Sequence, residues 1–152
     1  MADDAKSSDK PRLILSINAG SSSVKLSLYS APSNSGPCPL ISSSISGLTS
    51  PPAVFTYNNV SSPDSSSNIK KQELEDVTTQ DAALRHFLEY MAADESLKEL
   101  KSASDINIVC HRIVHGGDFD KAMVLSKETI QEIGDLTELA PLCFPPCPIF
   151  HI

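Results

Sequence analysis

The stretch INAGSSSVKLSLY, residues 17–29, limits the possible folds more than any other part of the chain. An almost unbroken apolar run, RLILSIN, reaches a corner of four small residues, Gly20-Ser21-Ser22-Ser23. Beyond it Val24, Leu26 and Leu28 alternate with Lys25, Ser27 and Tyr29. A period of two marks a strand with one buried face, and an unbroken run of strand length marks one covered on both faces. Together they predict a central strand and a hairpin partner, and therefore a sheet.

The other elements follow from periodicity and punctuation. Residues 1–11 are polar and read as a disordered leader. The stretch 30–68 holds thirteen Ser, six Pro and one charged residue, so most of it is expected to be loop, with short strands at LISSSI and AVFTYNNV. In TTQDAALRHFLEYMAA, Leu84, Phe87, Leu88 and Met91 fall at helical spacing behind a capping pair, Thr78 and Asp81. A dense apolar strand is expected over 106–114, ending at Gly116-Gly117. AMVL should form a short strand, and SKETIQEIGDLTELA a helix capped by Ser126, weakened at Gly134 and ended by Pro141. Strands first, then helix, strand, strand and helix, describe an α/β layer with a mixed sheet and flanking helices.

Charge and composition exclude several functions. With 12 basic against 19 acidic residues the net charge is −7, the wrong sign for collecting polyanions, so nucleic acid is not an expected partner. No segment approaches the roughly 18 apolar residues of a membrane span, and the chain reads as cytoplasmic with no membrane partner. Four cysteines without a secretory signal read as reduced thiols. Cys143, Cys147 and His151 have metal-ligand spacing, but the proline-rich setting and the lack of a fourth ligand argue against zinc.

Two stretches carry chemistry. A Walker-type phosphate loop needs a glycine directly before its lysine and a helix after it; here Val24 precedes Lys25 and a strand follows, so that reading fails. A hairpin corner can still gather backbone N–H groups and the Ser21 and Ser23 hydroxyls on phosphate oxygens, flanked by Asn18 and Lys25. The alternative is a plain polar hairpin tip. The second stretch, HRIVHGG, puts Arg112 at the end of an apolar strand, where a buried guanidinium needs an anion or a structural ion pair.

Together INAGSSSVK and CHRIVHGG resemble the two N-terminal signatures of the acetate kinase family, and LTELAPL resembles the approach to its next motif. The resemblance covers residues 12–142. It implies the N-terminal part of a ribonuclease H-like domain of the acetate and sugar kinase, Hsp70 and actin superfamily, incomplete here, with the 30–68 stretch as an insertion. It also implies Mg2+-dependent phosphoryl transfer from ATP to acetate, giving acetyl phosphate and ADP, in enzymes that are homodimers at full length. Carried over by position, Asn18 belongs to the magnesium shell, Lys25 to ATP and Arg112 to the acetate carboxylate. The Ser21 and Ser23 hydroxyls suit phosphate oxygens of the ATP, and His111 and His115 read as structural residues that orient this corner rather than as catalytic ones.

In the family, APL runs into a His-Asn-Pro motif, whereas here Leu142 is followed by CFPPCPIFHI. Residues 143–152 therefore read as a tail outside the family pattern, from a read-through intron or a shifted frame. The catalytic aspartate, the stabilising His and Arg, the adenosine-binding segments and a second metal-associated acid belong beyond that point. No catalytic residue is assigned within this chain, which is expected to be inactive by itself. The other readings are a non-catalytic fragment and a kinase for propionate or butyrate.

Overall fold

The computed structural model describes residues 10–113, 118 and 121–135. Six strands form one sheet: β1 (Arg12–Ala19), β2 (Ser23–Ala31), β3 (Cys38–Ser46), β4 (Ala53–Asn59), β5 (Ile69–Leu74) and β6 (Ile106–His111). Their order across the sheet is β5-β4-β3-β2-β1-β6. All neighbours are antiparallel except β1 and β6, which are parallel. Two α-helices, α1 (Gln80–Ala93) between β5 and β6 and α2 (Lys127–Asp135), and a 3-10 turn at Ala103–Asp105 complete the described elements. The expected mixed α/β sheet is present.

One face of the sheet makes the core. Leu13, Leu15 and Ile17 of β1, Val24, Leu26 and Leu28 of β2, Ile41 and Ile45 of β3, and Phe55 and Tyr57 of β4 are buried with Leu84, Phe87 and Met91 of α1. Each strand supplies this face with alternate residues, which makes the period of two readable in β2. Helix α1 begins at Thr79, whose hydroxyl accepts from the Ala82 N–H at 3.1 Å. The capping residue is thus Thr79, one position after the expected Thr78. Leu88, included in the expected apolar stripe, is half-buried.

Several expectations are corrected. The stretch 30–68 has its two expected strands, but β3 runs longer than LISSSI, from Cys38 to Ser46: Ser42, Ser44 and Ser46 take the face opposite the core, while the Ser43 hydroxyl donates to the Thr56 carbonyl at 2.7 Å. Strand β5, IKKQEL, is absent from the sequence expectations, since an edge strand with exposed Lys70, Lys71, Gln72 and Glu73 has no apolar alternation to reveal it. Strand β1 is central but buried on one face only, with Ile14 and Ser16 half-exposed. Among the described strands β6 is an edge rather than a buried strand, leaving Ile108 and Val109 each 38% exposed. AMVL forms no strand, and Val124 is 93% exposed.

Ser126 does cap α2, accepting from the Thr129 N–H at 3.3 Å. The residues before 10, Val114 to Gly117, the residues after Asp135 over which the helix is expected to run on, and the tail lie outside the described residues.

The glycine that the backbone requires is not the one in the first signature. Gly47, in the turn after β3, has φ +83°, a region that L-residues enter at a cost of roughly 1–2 kcal/mol. At Gly20 a Cβ would meet only the Ser23 carbonyl oxygen at 3.6 Å and the Ser23 hydroxyl at 3.9 Å, both ordinary contacts. In urea melts Gly47→Ala should therefore lose about 1–2 kcal/mol, whereas Gly20→Ala should stay within about 0.5 kcal/mol of the parent. Equal losses would refute this assignment.

Candidate anion-binding site

Pairing register, more than sequence proximity, assembles the site. Asn18 of β1 lies directly opposite Lys25 of β2, and Lys25 is opposite Ser44 of β3. On the other side Ile17 pairs with His111 of β6, and the Arg112 N–H donates to the Ile17 carbonyl at 2.9 Å, so the next residue pair brings Arg112 level with Asn18. Lys25, Asn18 and Arg112 thus form a row across three neighbouring strands, with the two cations roughly 10 Å apart at the backbone given ordinary strand spacing. In β1 and β2, Asn18 and Lys25 are exposed on the face opposite the buried leucines.

This face suits an anion despite the acidic net charge. Strands β1 to β4 contain no Asp or Glu at all. Among the described residues the ion pair observed is Arg85 with Asp81 on the surface of α1, and neither Lys25 nor Arg112 has an acidic partner. Arg112 is exposed, which corrects the expectation that it ends a buried strand and removes desolvation as the reason for it to need an anion. What favours an anion instead is two unneutralised cations flanking a neutral carboxamide.

Three of the four carbonyls in the corner beside the row are tied down. The Ser23 carbonyl accepts from the Gly20 N–H at 2.8 Å, and the Ser22 carbonyl from the Leu48 N–H at 3.1 Å. The Gly20 carbonyl accepts from the Gln80 side-chain amide at 3.0 Å. The N–H groups of Ser21 and Ser22 and the hydroxyls of Ser21 and Ser23 have no partner among the described residues. Negative carbonyl dipoles are occupied while donors stay available, the polarity an oxyanion requires.

His111 differs from the rest of the group. It shares the level of Ile17, on the core-facing register of β6, and its Nδ1 lies 2.9 Å from the Arg112 carbonyl oxygen. Burial lowers the His111 pKa, and that contact opposes the shift. The contact ties His111 to the backbone that carries Arg112. His115 lies outside the described residues.

Two residues of the site are not legible in the sequence. Gln80 is sixty positions from Gly20, and Leu48 acts only through its backbone, so neither leaves a local pattern.

Among the described residues of this site, the oxygens available to a metal are neutral. Among the described residues no group of three or more His, Cys, Asp or Glu comes together. The Asn18 carboxamide and the serine hydroxyls could complete the shell of a Mg2+ ion that keeps waters and phosphate oxygens. They could not hold a bare ion as a cage.

The model of the Acetokinase family matches residues 13–148. A probable acetate kinase of Emericella nidulans is 42% identical over 130 residues, covering 85% of this chain and 29% of the relative. The acetate kinase of Bacillus subtilis is 34% identical over 133 residues, covering 87% and 30%. The crystal structure of Porphyromonas gingivalis acetate kinase superposes with a TM-score of 0.67 at 28% identity, over 87% of this chain and 31% of that one. A propionate kinase of Francisella tularensis shares the fold at a TM-score of 0.65 and 22% identity. The chain spans about 30% of the length of the relatives it matches. No described helix is long and apolar enough to cross a membrane.

Proposed function

Given that the chain belongs to the acetate kinase family, we propose that the serine corner and the Lys25-Asn18-Arg112 row form the part of a carboxylate kinase site that receives the ATP phosphates and the acceptor carboxylate. The observation that carries this reading is the register, which puts two residues of the first signature and one of the second on adjacent strands at one level.

The division of labour follows from chemistry. The Ser21 and Ser22 N–H groups and the Ser21 and Ser23 hydroxyls supply several donors to phosphate oxygens, and Lys25 supplies a compact charge beside them. Arg112 offers a planar fork that matches a carboxylate in two parallel hydrogen bonds, so it orients acetate while a second lone pair on one oxygen remains to attack the γ-phosphorus. Between them Asn18 would contribute a neutral oxygen to the Mg2+ that accompanies ATP. That ion, when bound, neutralises charge on the β- and γ-phosphate oxygens.

Transfer itself needs a complete cleft of placed charges around the transition state. The described residues provide one wall of it, so binding without turnover is the function proposed for this chain alone.

Titration calorimetry and NMR of the full chain test the assignment. Lys25→Ala should weaken Mg-ATP binding about tenfold, the scale of one charge-assisted hydrogen bond. Arg112→Ala should leave that affinity within about twofold while removing acetate-induced shifts near β6. Loss of nucleotide binding in both variants would contradict the division of roles. Acetyl phosphate trapped with hydroxylamine at a kinase-like rate would contradict the claim that the chain binds without turning over.

A further inference from the structure

We infer that Gln80 is a positioning residue for phosphate binding, setting the conformation of the serine corner from the opposite, helical layer of the molecule. The inference rests on the phosphate reading of the corner given above and adds to it a residue that neither signature contains.

The Gln80 amide nitrogen donates to the Gly20 carbonyl at 3.0 Å. Its own position is fixed, because Gln80 is the first residue of α1, directly after the Thr79 cap. The helix in turn is held to the sheet by buried Leu84, Phe87 and Met91. The corner therefore has three separate restraints: the Gly20 to Ser23 bond within the hairpin, the Leu48 bond from the turn after β3, and the Gln80 bond from α1. Only the last is made by a side chain, and only it can be altered without changing the backbone.

The chemistry of the bond matters as much as its restraint. A free Gly20 carbonyl could rotate toward an anion bound at the corner and repel it. Engaged by an amide donor, its dipole is held toward the helix, and the Ser21 and Ser22 N–H groups keep the open side. A side chain of equal length that cannot donate should release the carbonyl, and a carboxylate should repel it.

The experiment uses the full chain, with inorganic tripolyphosphate as the probe. Gln80→Leu and Gln80→Glu should each weaken tripolyphosphate binding about fivefold or more, the value of one hydrogen bond. They should also speed amide exchange at Gly20 and Leu48, whose bonds depend on the corner's shape, while exchange in β3 and α1 is unchanged. Gln80→Lys, which restores a donor, should recover the Gly20 and Leu48 protection. Binding and protection that do not change in the Leu and Glu variants would overturn the inference alone. Failure of tripolyphosphate to bind the parent chain would overturn the phosphate reading and this inference with it.

Discussion

Phe87→Ala should lower the free energy of unfolding by about 3–5 kcal/mol, the range for truncating a fully buried aromatic residue. Phe87 is completely buried on α1 and faces Tyr57 of β4 at a ring-centroid distance of 6.4 Å. Among the described elements α1 is the helix whose side chains join this core, so no neighbouring helix can move in to fill the cavity. Since small domains are stable by only about 5–15 kcal/mol, the variant should melt near ambient temperature or remain partly unfolded. Urea denaturation followed by far-ultraviolet circular dichroism measures the loss, and a change below about 1 kcal/mol would show that α1 does not anchor this sheet.

The second large effect is expected at Asp94. Its carboxylate is 4% exposed and has no cationic partner among the described residues, yet it ties three segments together. It accepts from the Tyr57 hydroxyl at 2.9 Å, the Asn59 amide at 3.3 Å and the Ser67 hydroxyl at 2.7 Å. The Ser96 N–H and hydroxyl add bonds at 3.0 and 2.5 Å. The end of α1, the end of β4 and the serine-rich turn before β5 meet at one group.

Asp94→Ala leaves the buried Tyr57 hydroxyl without that acceptor, and because hydrogen bonds to charged groups are each worth about 1.5–3 kcal/mol, a loss of about 3 kcal/mol is expected in the same urea assay. A loss under about 1 kcal/mol would mean the knot forms without its carboxylate.

Asp94 also predicts a pH dependence of defined sign. Burial raises its pKa, but the hydrogen bonds from Ser96, Ser67 and Tyr57 and the Ser96 N–H outweigh that and hold it below the usual carboxylate value. A depressed folded-state pKa means the unfolded chain takes up the proton first. Its contribution is therefore complete above about pH 4, the ordinary aspartate value, and is lost as pH falls through the lower folded value. Asp94→Asn should flatten the stability profile below about pH 4. A profile unchanged from the parent would assign the acid sensitivity to other groups.

Comparing sequence with structure shows which kinds of information are local. The alternation of Val24, Leu26 and Leu28 is enough to identify β2 and its hairpin with β1, because every second side chain must meet the same core. The helical spacing of Leu84, Phe87 and Met91 identifies α1 for the same reason. Within the serine-rich stretch the branched and aromatic residues still reveal β3 and β4, and the hydroxyls fit the pleated face, as where Ser44 bonds to Thr56 at 2.8 Å. The exposure of β6 is hidden because an apolar strand looks the same whether or not a further layer covers it.

What the amino-acid order alone determined is the set of chemical parts: a lysine and an asparagine placed on either side of a small-residue corner, and an arginine at the end of a later apolar run. Folding decided that these parts share one level of one sheet, because strand register is a property of pairs of segments far apart in the chain. It also decided what holds them, since Gln80 and Asp94 act through bonds spanning dozens of residues and such bonds leave no periodic trace.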